Sequence, residues 1–427
     1  MAEALRCREC DDVAAPCVAG CPIGVEIPRF VAHVAAGRLR EAHEVFMRSS
    51  PMPAVCGRVC CEEQLCRAEC TARSEGESVS VAKLERFVGD WFREHNGSFS
   101  SHQIQAGAPR IAVIGSGPSG LSCAADLAGL GCDVTVFEAR QEAGGHIVRD
   151  IPEHQLPKSV LEAELKSIHS LGVTFRFGST VGKTVEIRDL FDRLGYRAVF
   201  IAAGAGAPQP FDIPGRDLYG VYSASEFLTR VNLPEARLSG NGRKNLLPTS
   251  RVVVVGGGDS ALECARTARR IGAGEVTVVC RRSLQDLRAR REDVEVSQQE
   301  GIQFLYLTSP VRLLGDNAKN LRRVECVEMD VGSPVGGPLP MPKHGTEFQL
   351  PADIFLVAIG RLPNTILPIP GLDMDRGGRI KVDPDTHQTS IPCVFAGGNI
   401  TRNLSITGAM GDGRMAARGI YAFVSRA

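Results

Sequence analysis

The stretch RIAVIGSGPSG, residues 110–120, decides the fold of this 427-residue chain. Its first five residues are the apolar run of a short strand, and the glycine-rich turn after them opens a helix. A second apolar strand follows over residues 133–137. This order of strand, turn, helix and strand predicts a βαβ unit in a parallel sheet.

The glycines of this turn predict a dinucleotide site. Gly115 fits the tight turn, Gly117 lets the backbone approach a pyrophosphate at the helix N-terminus, and Gly120 lets the helix pack against the sheet. Glu138 ends the second strand, where a carboxylate accepts hydrogen bonds from the adenine ribose. Gly145 follows soon after, and this pattern favours FAD over NAD because the isoalloxazine ring passes close to the backbone there.

A second unit of the same kind lies further along the chain. Its strand, helix and second strand are predicted at residues 251–255, 260–271 and 275–279. Gly256 and Gly258 form the turn, and Ala261 stands in the place of the third glycine. Arg281 and Arg282 stand where an NAD site carries a carboxylate, and because a guanidinium matches a 2′-phosphate, the sequence favours NADP. A solvated helix face is the alternative, since more charged residues follow over 288–293.

Nine of the fifteen cysteines lie before position 71, at positions 7, 10, 17, 21, 56, 60, 61, 66 and 70. The N-terminus, residues 1–12, has no apolar signal-peptide core, which argues against a secreted, disulfide-bonded protein. Iron–sulfur clusters suit so dense a set of thiolates. Zinc is the alternative, but zinc beside two dinucleotide sites would provide no route for electrons.

Composition excludes several other classes of protein. Lys and Arg number 49, as do Asp and Glu, so the formal charge is zero and a nucleic-acid binder is not expected. There is no run of 18 apolar residues, so we expect no membrane span and a cytoplasmic location. No catalytic residue is assigned, because no serine–histidine–aspartate set or carboxylate pair stands at motif spacing and bound cofactors would carry the chemistry.

The remaining segments predict how the chain is organised. Helical spacing covers residues 27–47, interrupted at Gly37, and residues 80–92. Further strands are predicted at residues 198–204, 354–360 and 393–396, an exposed loop at 332–348 and a closing helix at 407–424. The fold class is therefore α/β with an N-terminal all-α iron–sulfur domain and two Rossmann-like domains, the second inserted in the first. The predicted domains are 1–105 (helical), 106–224 and 365–427 (FAD-binding), and 225–364 (NAD(P)-binding).

The order of these motifs resembles the glutamate synthase small (beta) subunit family over essentially the whole chain. It is also similar to the N-terminal part of dihydropyrimidine dehydrogenase. The pieces that carry the resemblance are the cysteine-rich helical segment, GSGPSG, AVFIAAG, GGGDSA, CRR, IFLVAIG and FAGGN. The most specific are CGRVC at 56–60 and LERF at 84–87, which a generic flavoprotein does not need.

The resemblance implies two 4Fe-4S clusters. The first would be held by Cys7, Cys10, Cys17 and Cys70. The second would be held by Cys21, Cys60, Cys66 and a ligand that is not cysteine, at the position of Glu85. Cys56 competes for that fourth place.

The chain departs from the family pattern at three points. The spacing from Cys10 to Cys17 is longer than usual, and Cys61 replaces the proline that usually follows Cys60. Asn399, after Gly398, replaces the aspartate that hydrogen-bonds the flavin ribityl chain. Because asparagine can still donate and accept, Gly398 and Asn399 remain predicted FAD contacts.

The function implied by the resemblance is electron transfer between NAD(P)H, FAD and the clusters. The partner would be a subunit in a hetero-oligomer, of glutamate synthase, pyrimidine dehydrogenase or 2-oxoacid oxidoreductase type, or a ferredoxin. The N-terminus of the closing helix, around 407–411, would stabilise negative charge on a reduced flavin. The alternative is a self-contained NAD(P)H-dependent reductase of a small molecule.

Overall fold

The N-terminal segment is helical, as its apolar spacing predicts. The computed structural model describes residues 1–7, 10, 15–95, 104–232, 249–330, 340–364 and 369–426. The first helices are α1 (Pro16–Ala19), α2 (Ile27–Ala35), α3 (Leu39–Met47), α4 (Pro53–Val59) and α5 (Val81–His95), with 3-10 turns at Ala4–Arg6, Glu62–Gln64 and Thr71–Glu75. Gly37, with φ +72°, separates α2 from α3 and confirms the predicted interruption.

A five-stranded parallel sheet follows, in the order β16-β4-β1-β2-β3. Its strands are β1 (Arg110–Ile114), β2 (Asp133–Phe137), β3 (Thr174–Arg176), β4 (Ala198–Ile201) and β16 (Val394–Ala396). The central strands are buried on both faces, which explains their continuous apolar runs. The strand predicted over 198–204 ends early because the chain turns at Gly204, where φ is +69°.

Helices cover this sheet. They are α6 (Pro118–Gly129), α7 (His146–Arg149), α8 (Lys158–Ser170), α9 (Ile187–Asp192) and the closing helix α13 (Ile406–Ser425), with a 3-10 turn at Gly398–Ile400. Helices α6 and α13 pack very closely. A Cβ on Gly413 would lie 2.1 Å from the carbonyl oxygen of Ser119, so this crossing requires glycine.

A second five-stranded parallel sheet has the order β6-β14-β7-β8-β9. Its strands are β6 (Val221–Ser223), β7 (Arg251–Val255), β8 (Glu275–Val279), β9 (Gln303–Leu305) and β14 (Ile354–Val357). Its helices are α10 (Ala224–Asn232), α11 (Asp259–Arg270) and α12 (Arg291–Gln299), with a 3-10 turn at Leu284–Asp286. Shorter strands are β5 (Ala205–Pro208), β10 (Thr308–Gly315), β11 (Leu321–Asp330), β12 (Met341–Pro342), β13 (Phe348–Pro351) and β15 (Arg361–Pro363). Of these, β10, β12 and β13 pair antiparallel with β11.

The chain divides into two compact units. The first comprises Met1–Val148, Glu153–Gly206 and Pro363–Ala427, and the second comprises Arg149–Pro152 and Ala207–Leu362. The predicted α/β fold with an inserted second Rossmann-like domain is confirmed. The domain boundaries stay a prediction: the insertion was expected at 225–364, whereas β6 already pairs with β14. Of the loop predicted at 332–348, residues 332–339 lie outside the described residues.

No helix in the described part of the chain is both long enough and apolar enough to cross a membrane.

Candidate functional site

The first glycine-rich turn has the geometry that its residues predict. Gly115 has φ +99°, and a Cβ there would lie 2.6 Å from the carbonyl oxygen of Ala202. A Cβ on Gly120 would lie 2.0 Å from the carbonyl oxygen of Gly115. Gly117 differs, because no described heavy atom lies within 4 Å of its would-be Cβ. The turn is therefore closed on the sheet side and open at the start of α6, where a phosphate would bind.

Glu138 points back at this turn from the end of β2. One carboxylate oxygen, Oε2, accepts hydrogen bonds from the backbone N–H of Ser116 at 3.0 Å and from its hydroxyl at 2.5 Å. The other oxygen, Oε1, accepts from the backbone N–H of Arg140 at 2.9 Å. Glu138 is therefore held as an acceptor beside the turn, the position predicted for a ribose contact.

Two further predicted FAD residues lie against the same turn. A Cβ on Gly145, where φ is +55°, would lie 2.9 Å from the Cα atom of Gly117. A Cβ on Gly398, where φ is +77°, would lie 2.9 Å from the Cβ atom of Ser119. The side chain of Asn399 accepts a hydrogen bond from the backbone N–H of Leu404 at 3.0 Å. The structure thus brings segments from three parts of the sequence to one place.

Asp412 is a residue of this site that the sequence did not reveal as one. It lies on α13, is 1% exposed, and accepts a hydrogen bond from the backbone N–H of Gly398 at 3.0 Å. Arg402 donates to its other oxygen at 2.6 Å, and His387 Nε2 lies 3.8 Å from that oxygen. A charged residue inside the mostly apolar closing helix was the available signal. Asp412 fixes the backbone of Gly398, next to Asn399.

The second glycine-rich turn repeats the first with different chemistry. Gly256 has φ +146°, and its would-be Cβ would lie 2.4 Å from the carbonyl oxygen of Ala358. Gly258 precedes α11 in extended conformation, with no described heavy atom within 4 Å of its would-be Cβ. Ala261 is fully buried in the third position. This turn also leaves its helix N-terminus open.

Positive charge marks the end of β8. Arg281 is exposed and Arg282 is half-buried. Burial and the positive charges of Arg288 and Arg281 lower the pKa of Arg282. The guanidinium groups therefore lie close enough to repel one another, and an anion among them would relieve that repulsion. This arrangement suits a 2′-phosphate.

The cysteines fall into two groups in space. Burial and the neighbouring thiols Cys10, Cys7 and Cys70 raise the pKa of Cys17 to about 11. The four cysteines predicted for the first cluster are therefore neighbours in the fold. They are half-buried, and the Sγ atom of Cys10 lies 3.4 Å from the hydroxyl of Thr71.

The second group lines a largely apolar cavity. The cavity is lined by four cysteines, two glutamates, Thr407 and several apolar side chains; the cysteines and glutamates are Cys21, Cys56, Cys60, Cys66, Glu62 and Glu85. Burial first, and then Cys21, Glu62 and Glu164, raise the pKa of Glu85. Its Oε1 atom has no hydrogen-bond partner among the described residues. A buried carboxyl oxygen without a partner is costly, so a ligand in this cavity would stabilise it.

These donor sets fit iron–sulfur clusters. Each group supplies several thiols, and the second adds the carboxyls of Glu62 and Glu85, which line the same cavity. Cys56 also lines it, so both candidates for the fourth ligand are present. Within the described ranges, no three His, Cys, Asp or Glu side chains are grouped as a site for one metal ion.

The chain matches two family models. Residues 109–417 match the pyridine nucleotide-disulphide oxidoreductase family, and residues 1–97 match the 4Fe-4S domain II of dihydropyrimidine dehydrogenase. The small chain of NADPH glutamate synthase from Escherichia coli is 32% identical over 431 residues, covering 98% of this chain and 90% of that protein.

Other relatives are longer. The beta subunit of the NADP(+)-dependent formate dehydrogenase of Moorella thermoacetica is 33% identical over 95% of this chain, which spans 59% of that subunit. The oxidoreductase AegA of Escherichia coli is 32% identical, and the chain spans 64% of its length. Among solved structures, FprA of Mycobacterium tuberculosis in complex with NADPH has a TM-score of 0.62 at 21% identity. The match covers 75% of this chain and 85% of the FprA chain, and it supports the fold.

Proposed function

The chain belongs to the glutamate synthase small-chain family of pyridine nucleotide-dependent iron–sulfur flavoproteins, and from this premise we propose that it transfers electrons between NADPH and a redox partner. The chain is an NAD(P)H-dependent oxidoreductase with FAD and 4Fe-4S cofactors. Its direction of electron flow, its partner and the residues that hold each cofactor are parts of the proposal. The partner would be a subunit of a larger enzyme or a ferredoxin.

One observation carries the proposal: the cysteine-lined cavity and the first dinucleotide turn belong to the same compact unit and share helix α13. Thr407, at the start of α13, lines the cavity. Five residues further along the helix, Asp412 accepts a hydrogen bond from the backbone N–H of Gly398, beside the first dinucleotide turn. One helix therefore connects the proposed FAD contacts with the proposed cluster ligands.

Each set of residues has a defined task in this proposal. The first turn and Glu138 would bind the FAD phosphates and ribose, and Asn399 would contact the ribityl chain. Arg281 and Arg282 would bind the 2′-phosphate of NADPH. The cofactors, when bound, supply hydride acceptance and one-electron transfer.

The cysteines would hold the two clusters. Cys7, Cys10, Cys17 and Cys70 would bind the first, and Cys21, Cys60, Cys66 and Glu85 the second. The apolar walls of the cavity at the second group would exclude water from the sulfurs, and burial is one of the factors that set a cluster's potential.

The proposal is tested by separating hydride entry from electron exit. Cys60→Ser should lower the iron content of anaerobically purified protein, while NADPH still bleaches the flavin absorbance at a nearly normal rate in stopped flow. Reduction of ferredoxin should fall by orders of magnitude. The matched control is Cys393→Ser, which alters a half-buried cysteine outside both groups.

Several results would contradict the proposal. Zinc in place of iron in the purified protein would exclude clusters. Unchanged ferredoxin reduction in iron-depleted Cys60→Ser would show that electrons leave elsewhere. NADPH oxidation by a small-molecule acceptor alone, insensitive to cluster loss, would favour a self-contained reductase.

A further inference from the structure

The first two turns of α13 touch both proposed cofactor sites of the first unit. On one side, the Cβ atom of Ala409 lies 3.8 Å from the would-be Cβ of Gly398. On the other side, a Cβ on Gly411 would lie 2.4 Å from the carbonyl oxygen of Pro22, next to Cys21. The helix is therefore in close contact with the cysteine loop at a point where only glycine fits.

Two side chains of these turns contact cysteine sulfurs. The Sγ atom of Cys60 donates to the hydroxyl of Thr407 at 3.8 Å. The Sγ atom of Cys56 donates to the sulfur of Met410 at 3.5 Å. Both cysteines line the cavity, and Thr407 is 2% exposed. The contact of Thr407 is the more informative, because it joins a hydroxyl to a predicted cluster ligand.

A chain of hydrogen bonds leads to this hydroxyl from the helix start. The hydroxyl oxygen of Ser405, the N-cap residue, accepts from the backbone N–H of Gly408 at 3.1 Å. The hydroxyls of Ser405 and Thr407 lie 3.2 Å apart. Ser405 therefore has its own proton free to donate to Thr407.

Cluster binding would fix the direction of this chain. A cysteine that ligates iron is a thiolate and has no proton to donate. The hydrogen bond to Cys60 must then reverse, with Thr407 as the donor and Ser405 donating to Thr407. Successive hydrogen bonds polarise one another, so the bond to sulfur gains strength from the helix start.

We propose that Thr407 is a positioning residue that orients Cys60 and raises the reduction potential of the second cluster through a hydrogen bond to the Cys60 sulfur. Hydrogen bonds to ligating sulfurs are among the factors that set cluster potentials, because they stabilise the more negative, reduced form. The inference rests on the proposed function, in which Cys60 ligates a cluster. It assigns Thr407 no part in binding NADPH.

The test is an anaerobic redox titration followed by electron paramagnetic resonance. Thr407→Val keeps the shape and removes the hydroxyl, and it should shift the potential of one cluster downward while leaving the other cluster unchanged. Thr407→Ser should restore most of the wild-type potential. Ser405→Ala should shift the same cluster in the same direction by a smaller amount.

A matched control removes a buried threonine hydroxyl elsewhere. Thr267, on α11 in the second unit, is 4% exposed, and its hydroxyl has no hydrogen-bond partner among the described residues. Thr267→Val should leave both cluster potentials unchanged. The control separates a specific effect of Thr407 from a general effect of threonine loss.

The outcomes separate this inference from the proposed function. Wild-type protein without iron would refute the proposed function. Iron-loaded Thr407→Val with wild-type potentials would overturn the role of Thr407 alone. If Thr407→Val loses iron, retention of iron by Thr407→Ser supports the role, because serine keeps the hydroxyl that valine lacks; equal loss in both variants overturns it.

Discussion

The two glycine-rich turns share one backbone plan and differ in what surrounds it. In both, the first glycine has positive φ and lies against a carbonyl of the neighbouring strand's end, at Ala202 for Gly115 and at Ala358 for Gly256. In both, the residue before the helix is open. The strand that follows ends in the carboxylate of Glu138 in the first unit and in Arg281 and Arg282 in the second.

This comparison teaches which features carry the fold and which carry ligand choice. The positive-φ glycine is required by backbone sterics, so it recurs whatever is bound. Backbone sterics do not constrain the charged residue at the end of the second strand, so its charge can match a ribose hydroxyl or a phosphate. The third position of the turn differs between the two units. A Cβ does not fit at Gly120, whereas the second turn has room for the methyl group of Ala261.

The largest effect is expected from adding a methyl group to the first turn. Gly120→Ala would place a Cβ 2.0 Å from the carbonyl oxygen of Gly115, so the start of α6 must move away from β1. We expect overpacking to cost about 1–3 kcal/mol or more and FAD to be lost on purification. Flavin absorbance per chain and the thermal unfolding temperature measure both effects.

The control for this change lies at the other end of α6. Gly129 meets no described heavy atom within 4 Å of its would-be Cβ. Gly129→Ala should therefore stabilise the helix by about 0.5–1 kcal/mol and leave FAD bound. Full flavin occupancy in Gly120→Ala would show that the turn is less constrained than its geometry indicates.

Coenzyme choice should respond to the arginines of the second unit. Arg281→Ala combined with Arg282→Ala should raise the KM for NADPH roughly 10- to 100-fold, because a charge-assisted hydrogen bond contributes about 1.5–3 kcal/mol. The KM for NADH should change little, since NADH has no 2′-phosphate. Steady-state kinetics with both coenzymes measures this difference.

A double variant on β11 controls for the loss of two charges. Arg322→Ala with Arg323→Ala removes two exposed arginines of the same unit, far from the turn in sequence. It should leave the NADPH preference intact. Equal losses for NADPH and NADH in the Arg281 and Arg282 variant would assign those arginines to a solvated surface.

The sequence predicted the parts of the molecule that are determined by residues close together along the chain. The strands at β1, β2, β7 and β8 follow from apolar runs, and their glycine turns follow from local sterics. The glycine motifs, the cysteines and the family resemblance predicted the FAD and iron–sulfur cofactors. The comparisons confirm both the family and these cofactors. The individual site residues stay predictions.

The contacts that periodicity could not predict join distant segments. Cys60 and Thr407 are 347 residues apart, and Ala54 and Glu164 are 110 apart. In the second pair, a carboxyl oxygen of Glu164 accepts from the backbone N–H of Ala54 at 2.8 Å, in the first turn of α4. No local pattern marks a helix whose N-terminal hydrogen-bond acceptor comes from another helix.

A smaller effect is expected from exchanging the third residue of the second turn. Ala261→Gly removes a fully buried methyl group and raises the flexibility of α11, and together these changes should cost about 1–2 kcal/mol. The KM for NADPH should stay within about twofold, because the turn itself already has its glycines. Loss of NADPH binding would show that Ala261 shapes the site as strictly as Gly120 does.

The smallest effect is a change of folding stability with pH, which we expect from one buried glutamate in each compact unit. Burial raises the pKa of Glu164, on α8, to about 8, against the lowering influence of the Ala54 N–H group and of Arg58. Burial and the charges of Asp259 and Asp150 raise the pKa of Glu263, on α11, to about 8. Both carboxyls are therefore protonated in the folded state at neutral pH.

The sign of the pH dependence follows from these values. The unfolded chain loses these protons near pH 4.5, while the folded chain keeps them up to about pH 8. The folded state binds more protons in this window, so stability falls as pH rises, by at most about 1.4 kcal/mol per pH unit for each group. Glu263→Gln should flatten that slope in the second sheet, and Glu164→Gln should flatten it in the first. Hydrogen exchange of the strand amides between pH 6 and 8, corrected for intrinsic rates, measures each sheet separately. An unchanged slope in a sheet whose glutamate has been replaced would show that its carboxyl is already ionised in the folded protein.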